Sequence, residues 1–262
     1  MKHSQHGQLA IPRLSLSSPG VIIVGADEGV GKSVIACLVA DQLARRGIKV
    51  GPFKPIATGC QRAREGLISR DAEMLAAAAR FDPEVGTLRT VNPVALKYKL
   101  PPSLALIKST QSLTQEQDYA SIGRALKRLD SCDVLVVEAP GGVMTPLDHK
   151  HNTLDLLRTL DFPVLVVTQP FARMFNLTAE ACMIIRRMNL RLAGLIINGY
   201  DPDHPDSGMQ EVVQHMGRHC RADIVAFVPR REPFNAIHID PDLQAAVDVV
   251  DIYRLCLPAR WQ

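Results

Sequence analysis

Apolar residues in this 262-residue chain fall into short β-branched runs separated by segments with helical spacing, and the two patterns alternate from residue 21 onward. Val21-Ile22-Ile23-Val24 is the first such run. Val34–Arg46 follows with one apolar face and closes on Gly47, which suits a helix C-terminus. Ile48–Phe53 reads as a second strand. Ser69-Arg70-Asp71 reads as the opening of an alanine-rich helix, because a serine there can cap the first free amides. Thr90–Leu96 is expected to be extended, and the paired prolines make Leu100–Ser103 a turn. Thr114–Leu129 has amphipathic spacing, and Cys132–Glu138 reads as a buried strand. Farther on, Asp161–Thr168, Leu192–Asn198 and Ile224–Val228 read as strands, and Asn176–Met188, Ser207–Cys220 and Asp240–Leu255 as helices. Strands apolar on both faces, each followed by a helix, predict a doubly wound, mostly parallel α/β sheet flanked by helices, as one domain over 21–262. The first twenty residues are polar and basic, have no apolar core of the kind a secretory signal needs, and are expected to be a disordered tail.

The stretch that carries chemistry is Val21–Ser33, a strand running into a glycine-rich turn that ends in Gly31-Lys32-Ser33. Glycines there let consecutive backbone amides wrap a polyphosphate, and the helix that follows presents the positive end of its dipole to the same anion. The sequence therefore predicts a P-loop NTPase fold. Asp27, Glu28, Gly29, Val30, Gly31, Lys32, Ser33 and Val34 form the expected nucleotide-binding set, with Lys32 reaching the terminal phosphates and the Ser33 hydroxyl on Mg²⁺. In open α/β sheets ligands bind at the C-terminal ends of strands. Three further polar residues fall there. Lys54, held stiff by Pro55, is placed to neutralise charge on a moving phosphoryl group. Glu138 is placed as a second Mg²⁺ ligand. Asn198 offers an amide suited to a base edge.

Composition narrows the partners. Thirty basic and 27 acidic residues leave a net charge of only +3, with no basic run interleaved with aromatics, so small-molecule chemistry is favoured over nucleic acid. No apolar stretch has the length of a membrane span. The six cysteines stand singly, without zinc-ligand spacing, as in a cytoplasmic protein with reduced thiols.

The chain resembles the dethiobiotin synthetases over residues 21 to 232. The resemblance rests on ordered blocks: the long phosphate loop Gly25–Ser33; Phe53-Lys54-Pro55-Ile56-Ala57-Thr58-Gly59; Ser69-Arg70-Asp71-Ala72; Val91-Asn92-Pro93; Val137–Gly142 with Thr145-Pro146-Leu147; and Leu192-Ala193-Gly194 with Asn198. It implies an ATP-dependent cyclo-ligase that carboxylates diaminopelargonate, phosphorylates the carbamate and closes a ureido ring. By that resemblance Ser33, Asp71 and Glu138 hold Mg²⁺. Lys32 and Lys54 stabilise the carbamate and γ-phosphate, Thr58 touches the reacting amine end, and Asn198 reads the adenine of ATP. A homodimer is implied as well, because the family builds its substrate site across two subunits.

The chain departs from the family at Ala26 and Glu28, where threonines are usual, at Ser103-Leu104-Ala105, and at Ala172–Leu177, where a glycine-rich turn is usual. Nucleotide-handling residues are thus retained while substrate-handling ones differ. The departures imply a rebuilt substrate end, with Arg173 as carboxylate partner, or another substrate. Two alternatives follow: a P-loop amidoligase on a different carboxylate, and an ATP-binding regulatory module. The latter is disfavoured by the absence of a lysine between Gly25 and Gly31 and by the retained Lys54-Pro55 loop.

Overall fold

The computed structural model describes residues 16–64, 66–109, 115–200 and 209–257. From the N-terminus the elements run β1 (Gly20–Gly25), α1 (Lys32–Arg45), β2 (Val50–Phe53), β3 (Ile56–Ala57), β4 (Gln61–Ala63), β5 (Gly66–Ile68), α2 (Arg70–Ala78), α3 (Leu88–Val91), β6 (Val94–Ala95), α4 (Pro102–Lys108) and α5 (Gln115–Leu129). They continue as β7 (Val134–Gly142), α6 (Thr153–Leu160), β8 (Val164–Thr168), α7 (Met174–Arg187), β9 (Leu192–Asn198), α8 (Met209–Cys220), β10 (Ile224–Val228), α9 (Pro241–Asp248) and α10 (Ile252–Cys256).

Six strands pair in the order β10-β9-β8-β1-β7-β2, and every pairing is parallel. Side chains alternate across this sheet and feed two cores. Ile22, Val24, Leu135, Val137, Val164 and Val166 pack with α5 to α8. Val21, Ile23, Val134, Val136, Leu165 and Val167 pack with α1, α2, α9 and α10. Burying each such side chain contributes about 1.5–3 kcal/mol, and the four apolar residues Val21 to Val24 of β1 are all 0% exposed. The chain moves outward from β1 to β2, returns to β7, and then crosses β1 to reach β8. This reversal opens a crevice at the C-terminal end of β1, where the glycine-rich loop begins. Among the described residues no helix is long and apolar enough to cross a membrane.

Several local expectations are corrected. Residues 16–20, expected in the tail, are tied to the domain: Ser18 Oγ donates to the carbonyls of Asp130 (2.9 Å) and Cys132 (2.7 Å), and Gly20 already belongs to β1. Residues 1–15 lie outside the described residues, as do Thr114, Ser207 and Gly208 at two expected helix starts. Thr90–Leu96 is not uniformly extended, since a helical turn ends at Val91 and only Val94–Ala95 pairs as a strand. The prolines after Leu100 do not end structure but start it: Pro101 caps and Pro102 opens α4, because a fixed φ and a missing amide cost nothing in a first turn. The single helix expected over Asp240–Leu255 is two, separated where Asp251 caps a second start by accepting from the Arg254 amide at 3.1 Å. All six cysteines are buried and free.

Candidate active site

The loop after β1 is wound tightly enough to exclude side chains. A Cβ on Gly25 would lie 2.5 Å from the Asp27 carbonyl oxygen. Gly29 and Gly31 have φ of 73° and 93°, a region in which only glycine is unstrained. Gly31 is the N-cap of α1, no side chain caps that helix, and no acid lies in its first turn. The amides of Lys32, Ser33 and Val34 are therefore left for an anion. Val30 is buried, whereas Asp27, Glu28 and Gly29 are exposed. Asn198, at the end of β9, donates from Nδ2 to the Val30 carbonyl at 2.9 Å. The structure thus sets this residue against the loop itself, a bracing contact that the sequence does not announce. A Cβ on Gly31 would come within 2.0 Å of the same Nδ2. Gly31→Ala is expected to weaken ATP binding about 10–100-fold through backbone strain and a displaced Asn198; titration with a fluorescent ATP analogue measures it.

Lys32 turns its ammonium to the Asp27 carbonyl at 3.2 Å. Burial pulls its pKa below the usual lysine value, against an opposing pull from Glu138. Ser33 Oγ donates to Glu138 Oε1 at 2.7 Å. Glu138, expected to end its strand, instead lies midway along β7, which runs on to Gly142; it is the last residue paired with β1 before a register shift, opposite Ile23, and is 1% exposed. Its other oxygen, Oε2, is buried without a hydrogen-bond partner among the described residues.

Lys54 completes the cluster. Its Nζ lies 2.5 Å from Glu138 Oε1 and 3.4 Å from Asp71 Oδ2. Burial alone would lower its pKa, but the two carboxylates outweigh burial and hold the pKa above the ordinary lysine value. The loop bearing it is fastened by a residue whose role local patterns miss. Asn92 donates from Nδ2 to the carbonyls of Lys54 (2.7 Å) and Val94 (3.1 Å), while the Lys54 amide donates to the Val91 carbonyl at 2.8 Å. Asp71 sits in the first turn of α2, which Ser69 caps by accepting from the Ala72 amide. Beyond Glu138, Thr145 Oγ1 accepts from the Gly142 amide at 2.8 Å and Thr153 Oγ1 donates to the Pro140 carbonyl at 2.7 Å, fixing the loop after β7.

The two lysines titrate in opposite senses. Lys32 loses its proton below the usual lysine pKa of 10.5, and Lys54 above it. Affinity for a triphosphate is therefore expected to fall as pH rises through the depressed Lys32 value. The contribution of the Lys54 ion pair to stability is complete below the unfolded lysine pKa and is lost only as pH passes the raised folded value. Nucleotide titrations and melting curves from neutral to about pH 10 separate the two: affinity is expected to decline while the Lys54 contribution persists.

These residues surround a cavity of about 740 Å³ lined by Glu28, Gly29, Gly31, Lys32, Ser33, Lys54, Thr58, Asp71 and Glu138, a volume suited to small-molecule ligands. Thr58 is half-buried and Asp71 half-exposed on its wall. Arg70 and Lys99 line the same cavity, as do Ile56, Leu100, Pro101 and Pro102. The sequence had not singled out Arg70 or Lys99. Arg70 could have been noticed inside the Ser69-Arg70-Asp71 block, but Lys99 carries no local signal. Arg173, expected as a carboxylate partner, is not among the lining residues: its guanidinium lies 5.2 Å from the centre of the Phe171 ring instead.

The donor set fits a hard divalent cation. Ser33 supplies a hydroxyl, Glu138 an unpartnered buried oxygen and Asp71 an accessible carboxylate, which are the ligand types Mg²⁺ takes together with substrate phosphates and water. No cluster of three His, Cys, Asp or Glu that could hold a metal ion occurs among the described residues.

A family model described as an AAA domain matches residues 19–237. The ATP-dependent dethiobiotin synthetase of Bacillus licheniformis is 27% identical over 230 residues, 88% of this chain and 94% of that protein. The enzyme of the same name from Xanthomonas oryzae pv. oryzae is 31% identical over 203 residues, 77% of this chain and 85% of that one. Among solved structures, the MinC:MinD cell division protein complex of Aquifex aeolicus contains a chain that superposes with a TM-score of 0.57 at 14% identity, covering 88% of this chain and 93% of that one. That likeness shows the P-loop NTPase fold alone. With the family match spanning most of the sequence and the phosphate loop, Lys54 and Glu138 gathered around one cavity, this chain belongs to the dethiobiotin synthetase family of P-loop, ATP-dependent ligases.

Proposed function

We propose that this chain closes the ureido ring of dethiobiotin from diaminopelargonate, CO₂ and ATP. The observation that carries this reading is the position of Lys54, a buried ammonium 2.5 Å from Glu138 and 3.4 Å from Asp71, beside the phosphate loop. A regulatory module of this class would carry its second lysine between Gly25 and Gly31, where this chain has none, whereas here the second cation stands on a separate loop in the cavity.

The reaction needs positioning and charge neutralisation rather than covalent catalysis. One amine of the diamine adds to CO₂ and loses a proton, giving a carbamate. A carbamate oxygen attacks the γ-phosphorus and ADP leaves. The second amine then attacks the carbonyl carbon, phosphate departs, and the ring nitrogen loses its proton. The loop amides and Lys32 hold the β- and γ-phosphates. Lys54 neutralises charge on the carbamate and on the phosphoryl group in transit. Thr58, on the same wall, contacts the reacting amine end. Asn198 keeps the loop braced and leaves its carboxamide oxygen for the base. Ser33, Asp71 and Glu138 are the residues that would hold Mg²⁺, which screens phosphate charge as the nucleophile approaches. The reading carries a homodimer with it, supported by the family resemblance.

Glu28 favours a second reading. It is exposed and lines the cavity, so it sets a negative charge near an anionic intermediate. An amidoligase acting on a more cationic substrate would turn that charge to use. Incubation with ¹³C-bicarbonate, ATP and diaminopelargonate, followed by mass spectrometry, separates the two. The proposed function predicts labelled dethiobiotin and stoichiometric ADP; folded, ATP-binding protein that yields neither sinks it.

A further inference from the structure

We propose that Asp148, gripped by Tyr119 and His151, is a positioning residue that sets the stretch of cavity wall formed by the end of β7, the loop after it and the head of α4. Its effect on turnover rests on the ring-closing reading above. Its hold on the wall rests on geometry alone.

Asp148 lies outside the cluster around Lys54, and its side chain is 2% exposed. A carboxylate so buried is destabilising unless its oxygens are met by donors. Here each oxygen accepts twice. Oδ1 takes the amides of Lys150 (2.6 Å) and His151 (2.8 Å). Oδ2 takes the Tyr119 hydroxyl and His151 Nδ1, the latter at 2.8 Å. Because an ionised carboxylate only accepts, the imidazole carries a proton on Nδ1. Burial alone would raise the Asp148 pKa, but these bonds outweigh it and hold the value below the ordinary one. The Tyr119 and His151 rings meet edge to face with centres 5.4 Å apart. Asp148 thus joins α5, which carries Tyr119, to a turn that closes where the Leu147 amide donates to the His151 carbonyl at 2.9 Å.

That turn is the far end of a segment that lines the active-site cavity through Ala139, Pro140, Gly141 and Thr145. Thr145 is pinned on both sides. Its hydroxyl accepts from the Gly142 amide at 2.8 Å, and its carbonyl accepts from the Thr153 amide at 2.9 Å. One residue on, the Pro146 carbonyl accepts from the Ser103 amide at 3.1 Å, in the first turn of α4. The residues that lead into that helix, Leu100, Pro101 and Pro102, line the same cavity. Ile56 and Pro102 also border a small apolar cleft together with Tyr119, Leu147 and Asp148. Releasing Asp148 therefore loosens two stretches of wall, one of them directly after Glu138. The phosphate loop is braced separately, by Asn198. Misplacing a reacting group by about 1 Å lowers a rate about 10²-fold, so the cluster acts on the chemical step more than on nucleotide affinity.

The test uses the full-length protein, the variants Tyr119→Phe and Asp148→Asn, and the two combined. Asp148→Asn is expected to lower kcat for dethiobiotin about 10–100-fold with the KM for ATP within about threefold of wild type. Tyr119→Phe keeps the ring and removes one bond, so its loss is smaller. The double variant should match Asp148→Asn within about twofold, because the two residues act as one unit. A lower melting temperature with unchanged kcat in the folded protein, or losses that simply multiply, overturns the proposal while leaving the ring-closing reading intact. If Asp148→Asn does not fold, unchanged kcat in Tyr119→Phe overturns it equally. Hydrogen exchange reads the wall without any reaction. In Tyr119→Phe and Asp148→Asn the amides of Gly142, Leu147 and Ser103 should exchange at least about tenfold faster, while the Ile35 amide, bonded to the Gly31 carbonyl at the phosphate loop, stays as in wild type. If wild type forms no dethiobiotin but exchange follows this pattern, the anchor stands and the proposed reaction falls. Exchange unchanged at Gly142 and Ser103 overturns the anchor whatever the reaction.

Discussion

Lys54→Met is expected to lower the turnover number about 10²–10³-fold while leaving ATP affinity within a few-fold of wild type. The asymmetry follows from position. Nucleotide affinity draws on the loop amides, the uncapped start of α1 and Lys32, none of which Lys54 contacts. Lys54 faces the carboxylate pair Glu138 and Asp71, where the proposed reaction has charge move during phosphoryl transfer. Methionine keeps the length and apolar stem of lysine, so that the change removes charge with little loss of packing. Single-turnover measurement at saturating ATP and diaminopelargonate reads the chemical step, and equilibrium titration reads binding. A variant that turned over normally would remove the main support for chemistry over switching. One that lost both properties together would point to collapse of the loop.

Glu138→Gln is expected to act on stability and on the dependence on Mg²⁺ together. Glu138 is 1% exposed and Lys54 6% exposed, so removing the carboxylate leaves a buried ammonium with only the more accessible Asp71 at 3.4 Å. Breaking a buried pair from one side costs about 3–5 kcal/mol, and the melting temperature should drop by at least about 6 °C. The same substitution replaces the unpartnered Oε2, which would ligate Mg²⁺ in the proposed reaction, with an amide. Mg²⁺ should therefore lose most of its enhancement of ATP binding. Melting curves with and without Mg²⁺ and nucleotide check both effects. A variant as stable as wild type and equally responsive to Mg²⁺ would separate Glu138 from both roles.

The parts of this site visible in the sequence are those written locally. A β-branched run followed by glycines and Lys32-Ser33 specifies strand, loop and helix from adjacent residues, Lys54-Pro55 directly follows the recognisable strand β2, and Glu138 sits within the recognisable strand β7. What the sequence hides depends on contacts between distant residues. Asn92 acts through a bond to Lys54 across 38 positions, and Asn198 reaches Val30 across 168. Lys99 enters the cavity only because the Leu96–Tyr98 backbone pairs with the Gly59–Cys60 turn. Arg173, implied as carboxylate partner by the departure of Ala172–Leu177 from the family's glycine-rich turn, does not line the cavity of the single chain, and its guanidinium lies 5.2 Å from the centre of the Phe171 ring. The Pro101-Pro102 pair, which reads as a turn, opens a helix instead, because proline is tolerated in a first turn.

In the proposed reaction a carbamate oxygen attacks the γ-phosphorus. Fresh C¹⁸O₂ supplied with diaminopelargonate, ATP and Mg²⁺ tests it, with the released phosphate analysed before exchange with water. Transfer from the carbamate predicts one ¹⁸O in each phosphate and the other in the ureido carbonyl. Phosphate released without ¹⁸O would mean that water, not carbamate, receives the phosphoryl group, and would contradict the account.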